Sequence, residues 1–175
     1  MTTDPRTTDP RTTVAAFDRA SAPDATALLR PCCASTRWAT DLVAGRPYGD
    51  VAAVAERSDD LIRTLDAGAL EQALAAHPRI GDRVSGDDTE SAWSRQEQSA
   101  TADLAGTVAE QLVAANLAYE STFGQVFLIC ATGKSAEQML AAARSRLENP
   151  PEVEREVVRR ELAAIVRLRL AKALV

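Results

Sequence analysis

Only one histidine occurs in this chain, and it lies where imidazole is seldom left. In ALEQALAAHPRIGD, residues 69–82, His77 follows Leu74 by three residues, Ala73 by four and Leu70 by seven. Those offsets share one face of a 3.6-residue helix, so the ring is expected to point inward. Pro78 disfavours helical geometry at the residue before it, which puts the helix end close to His77. An inward imidazole there is either a core histidine bonded to a backbone carbonyl or a general acid or base. A helix C-terminus favours its charged form and apolar surroundings oppose it, and spacing leaves the winner open.

Two further groups of residues have chemical potential. In SRQEQS, Ser94, Glu97 and Gln98 stand at i, i+3 and i+4 and so project together. Such a triplet is an ordinary solvated face or a hydroxyl, carboxylate and amide set for a ligand rich in N–H and C=O groups. In EVVRRELAAIVRLRL the apolar stripe runs Val158, Leu162, Ile165 and Val166. Arg169 continues that stripe, whereas Arg167 projects to the other side. A guanidinium turned inward stays charged and needs an anion, from the protein or from a ligand.

Other motifs carry less. ATGKS at 131–135 imitates a phosphate-binding loop, but the glycine required five residues before Gly133 is replaced by Leu128. Backbone amides along 128–133 remain available to a polar ligand. Cys32 and Cys33 read as buried small apolar residues rather than nucleophiles. Three cysteines beside a single histidine make a poor zinc site.

The elements that must position these residues read almost entirely as helix. Thr13 caps a short helix through Ala20, and Asp24 or Thr26 a second one carrying Leu28 and Leu29. Ser35 or Thr36 opens a third that Gly45 stops, and Asp50 caps a run through Leu65. The His77 helix follows, then a charged, glycine-bearing loop and a helix from about Thr89. Thr107 and Glu110 have capping-box spacing before Val108, Leu112, Ala115 and Tyr119, and Ser135 and Gln138 repeat that spacing. QVFLICATG is the one β-like run, and a long helix after Pro150 and Pro151 closes the chain. The expectation is an all-α, single-domain bundle of about seven to nine helices, with at most one short extended segment near 126–131. Residues 1–12, two copies of TTDPR and flanking residues, are expected to be a disordered tail, leaving residues 13–175 as the domain.

Composition narrows the function classes. At 175 residues, 46% apolar and 26% charged, the chain is an ordinary globular domain. A net charge of −5 argues against nucleic acid as the main partner. No apolar run approaches the roughly eighteen residues of a membrane span, and the N-terminus lacks signal-peptide regions, so a cytoplasmic location is expected.

Taken in order, CCASTRWATDLVAGRPY, LAAHPRIGD, SRQEQSA, NLAYESTFGQVFLICATGKS and RELAAIVRLRL resemble the 2-oxo-4-hydroxy-4-carboxy-5-ureidoimidazoline (OHCU) decarboxylases of purine breakdown. The resemblance implies an all-helical, cofactor-free and usually dimeric enzyme that releases CO₂ and gives (S)-allantoin. It further implies His77 and Glu97 as catalytic residues. The implied substrate contacts are Pro78, Ser94, Gln98, Phe127, Ile129, Cys130, Ala131 and Arg169. The chain departs from the family at Phe123-Gly124-Gln125-Val126-Phe127, where Phe-Gly-Phe-Pro-Phe is common. The competing expectation is a non-catalytic helical module that binds a purine catabolite with the same inward polar residues.

Overall fold

Nine helices form among the described residues of the computed structural model, which are 12–81, 88–99 and 107–175. They are α1 (Val14–Arg19), α2 (Ala22–Leu29), α3 (Thr36–Ala44), α4 (Val51–Arg63), α5 (Ala67–Ala75), α6 (Thr89–Glu97), α7 (Thr107–Phe123), α8 (Ala136–Arg146) and α9 (Pro151–Ala173). The all-α expectation holds. Residues 126–131 are irregular backbone with no partner strand among the described residues.

Local chemistry explains most boundaries. Thr13, Ser35, Asp50, Asp66 and Asp88 each accept a backbone N–H from the first turn of the helix they precede. Ser135 and Gln138 complete the capping box expected for α8. One boundary moves. The cap of α2 is Ser21, not Asp24 or Thr26, because Pro23 sits in the first turn, where its missing N–H costs no hydrogen bond. Thr107 is the first residue of α7; the residues just before it, the loop at 82–87 and the tail at 1–11 lie outside the described residues. Thr12 is bonded to the chain end, donating to the Ala173 carbonyl and accepting from Val175.

Two clusters of buried side chains result. The larger is built by α1–α5 and α9, with Trp38, Leu42, Ile62, Leu162 and Val166 among its members. The smaller joins α7 and α8, through Leu112, Tyr119 and Met139, to Ile80 of the His77 loop. The 126–131 segment divides them. Val126, Leu128 and Cys130 pack on the larger cluster, while Phe127, Ile129 and Ala131 belong to the smaller. That period of two is the signature of an extended chain.

Candidate active site

Arg169 is the hub of the site, 1% exposed near the end of α9. Its Nε donates to Glu97 Oε1 at 3.0 Å, and one terminal nitrogen donates to Glu97 Oε2 at 2.9 Å and Ser94 Oγ at 3.1 Å. The other terminal nitrogen donates to the Pro31 carbonyl at 3.3 Å and lies 3.6 Å from Glu90 Oε1. The apolar stripe of α9 turns this arginine inward, and α6 presents Ser94 and Glu97 one turn apart to meet it. The two-pronged geometry fixes both oxygens of Glu97 on the arginine side. Lys172, one turn beyond Arg169, places Nζ 3.8 Å from the same carboxylate.

His77 lies just past the end of α5, 8% exposed. Its Nδ1 is 2.9 Å from the Ala73 carbonyl, which can only accept, so Nδ1 carries a proton and donates it there. Nε2 is buried with no partner among the described residues. Burial pushes the imidazole down to about 4, and the Arg169 charge pushes the same way against the Ala73 carbonyl. At neutral pH the ring is therefore neutral, with an unshared pair on a buried Nε2. No hydrogen bond joins His77 to Glu97 among the described residues; Arg169 couples them through its charge.

The rest of the expected set falls around this core. Pro78 is half-buried directly after His77. Gln98, the C-cap of α6, accepts the Gly81 N–H at 3.1 Å and so ties the His77 loop to the Glu97 helix. Phe127, Ile129 and Ala131 are buried and Cys130 is half-buried. Cys130 feels the Glu97 charge, which puts the extended segment within electrostatic reach of the cluster. The Ile129 backbone has no hydrogen-bond partner among the described residues. Cys32 and Cys33 are buried thiols, pushed up to about 12 and about 11, chiefly by burial, and remain protonated at neutral pH. Lys134 of the GKS triplet donates to the Cys130 carbonyl at 2.8 Å, a backbone tether for the segment.

Four contributors were not anticipated. Glu90 approaches Arg169 from the first turn of α6, and burial pushes its carboxyl up. Asn116 donates to the Ile80 carbonyl at 2.8 Å, and its position four residues after Leu112 on the α7 stripe was a legible signal. Arg146 is clamped by Glu154 and donates to the Leu128 carbonyl at 2.8 Å. Glu161 accepts the Cys130 N–H at 2.8 Å. The Gln125-Val126 departure falls on the wall of a groove of about 520 Å³ that also meets Leu74 and Ala75 of α5.

Fold and site together define an all-α protein with a buried cluster of acid–base side chains. Residues 18–171 match the OHCU decarboxylase family, and the chain belongs to that family. The Arabidopsis thaliana uric acid degradation bifunctional protein TTL is 30% identical over 145 residues, 81% of this chain and 44% of that protein. This chain thus spans less than half the length of that relative. The 2-oxo-4-hydroxy-4-carboxy-5-ureidoimidazoline decarboxylase of Xenopus laevis is 28% identical over 127 residues, 71% of this chain and 73% of that protein. An OHCU decarboxylase crystallised in the presence of (S)-allantoin superposes with a TM-score of 0.70 at 28% identity, covering 82% of this chain and 94% of that one.

Proposed function

We propose that this chain decarboxylates OHCU, giving (S)-allantoin and CO₂ in urate breakdown. The observation that carries the reading is His77: a neutral imidazole with an unpartnered, buried Nε2 near an arginine-held carboxylate. The substrate supplies its own electron sink. As the bond to CO₂ breaks, its electron pair moves toward the ring C=N and forms an enediamine-like intermediate. Protonation of one carbon face then sets the S configuration.

His77 Nε2 takes a proton from the substrate's hydroxyl or ring during CO₂ loss. A ring near pKa 4 is by itself a weak base. An anionic substrate placed beside it raises its basicity when the proton must move. Glu97 orients ureido and ring N–H groups, and its charge opposes a bound carboxylate more than neutral CO₂. Arg169 directs most of its donors to Glu97, Ser94 and Pro31, which favours a role in aiming Glu97 over a free hold on the substrate. Gln98 and Ser94 match donors and acceptors on the ring, and Pro78 with residues 127–131 forms the wall around it. The unpaired Ile129 backbone supports an amide-bearing ligand there, since buried N–H and C=O groups are otherwise almost always bonded.

Residues 13–175 constitute the acting unit in this reading, as a cytoplasmic homodimer without a cofactor. The compartment is supported by three free thiols and the dimer by family resemblance, with light scattering as its check. The decisive experiment follows the optical signal of freshly generated OHCU. His77→Ala and Glu97→Ala each fall to near the spontaneous rate while circular dichroism stays unchanged; near-normal turnover in either removes that residue from the chemistry. Racemic allantoin from the wild-type reaction would overturn the assignment as a whole.

A further inference from the structure

The segment at 126–131 behaves as a β-strand that has lost its neighbours. Its side chains alternate between the two cores, so its backbone groups must alternate between two edges. One edge carries the N–H and C=O groups of residues 128 and 130, and the other those of 127, 129 and 131. Three tethers fall on the first edge. Arg146 holds the Leu128 carbonyl, Lys134 the Cys130 carbonyl and Glu161 the Cys130 N–H, each at 2.8 Å. Ile129, on the second edge, keeps its N–H and C=O without partners among the described residues. Side chains thus satisfy three of the four backbone groups on the first edge, where a sheet would use another strand; on the second edge the Ala131 carbonyl accepts the Lys134 N–H at 3.0 Å.

The tethers are organised by α9. Glu154 clamps Arg146, Glu161 lies seven residues further on, and Arg169 eight beyond that. Successive groups are therefore roughly 10–12 Å apart along one rigid rod. The same helix aims Glu97 through Arg169 and sets the height of the Ile129 edge through Glu161.

We propose that Glu161 is a positioning residue of this site: by holding the Cys130 N–H it keeps the Ile129 amide and carbonyl turned toward the ligand's planar ring. The inference rests on the proposed function for the identity of that ring, and not for the tether itself. Glu161 touches no reacting atom, so its removal weakens substrate and transition state alike and appears in KM rather than kcat.

The test compares Glu161→Ala with Glu161→Gln, which retains an acceptor oxygen. Glu161→Ala is expected to raise KM about tenfold with kcat within about threefold, and to weaken (S)-allantoin binding in parallel. Amide exchange at Cys130 speeds up about tenfold in the same variant while the helices keep their protection. Glu161→Gln restores all three measurements to near wild type. An unchanged KM and an unchanged Cys130 exchange rate in Glu161→Ala would overturn the proposal. So would equal damage in Glu161→Gln, which would assign the effect to charge rather than to hydrogen bonding. A wild-type protein that leaves the decay of OHCU unaltered refutes the proposed function, and the Cys130 exchange rate then still decides whether Glu161 holds the segment.

Discussion

His77 combines two opposed influences that its position alone leaves balanced. The end of α5 and the Ala73 carbonyl favour imidazolium, while burial and the nearby Arg169 guanidinium favour the neutral ring and prevail. Because this is the only histidine, its ring protons give single resonances in a proton spectrum. Those signals are expected to titrate near pH 4 in the free protein and at higher pH once an anionic substrate analogue is bound. The same depression links folding to pH. Between pH 6.5 and 4 the unfolded chain binds a proton at position 77 that the folded chain refuses. Stability from this group is therefore full above 6.5 and declines as pH falls toward 4, by roughly 3 kcal/mol. Urea unfolding across that interval should show a flatter pH dependence in His77→Asn than in wild type by about that amount. Arg169→Lys keeps the charge but loses the two-pronged grip on Glu97, and kcat should fall at least about tenfold.

At the scale of elements, the His-Pro-Arg-Ile-Gly stretch works because each residue ends or redirects the backbone. His77 closes α5 by donating its N–H to the Leu74 carbonyl, and Pro78 prevents another turn. Gly81 takes a φ of +88°, and a Cβ built on it would meet Leu112 at 3.2 Å. Its N–H is the one Gln98 accepts, so the turn also sets the distance between the His77 loop and the Glu97 helix. Gly81→Ala should cost roughly 1–2 kcal/mol in chemical unfolding and reduce kcat/KM by more than stability loss alone explains. The α8 cap lies outside this turn: Ser135→Ala should cost about 1 kcal/mol in chemical unfolding.

For the whole molecule, two cores share one divider, and a buried ion pair holds the divider in place. Arg146 donates to Glu154 at 2.8 Å, stacks on Phe127 with 4.7 Å to the ring centroid, and bonds the Leu128 carbonyl. Tyr119 also donates its hydroxyl to Glu154. Removing one member strands a buried charge, so Arg146→Ala should cost roughly 3–5 kcal/mol and lower Tm by on the order of 10 °C in calorimetry.

Helix identity, most caps and the inward aim of His77 and Arg169 are readable along the chain, whereas spacing leaves the Ser94–Glu97–Gln98 face open between solvent and a ligand. Those properties depend on residues within about two turns of each other, and periodicity and capping record them directly. The cap of α2 falls at Ser21 rather than at Asp24 or Thr26, because the first turn accommodates Pro23 at no hydrogen-bond cost. The long-range partners emerge only once the chain is folded. Arg169 meets Glu97 across 72 positions, Arg146 reaches back to Leu128, and Glu161 finds a backbone N–H 31 positions earlier. The charge state of His77 belongs with them, because desolvation is set by every element packed over the ring and by none of its neighbours in sequence alone.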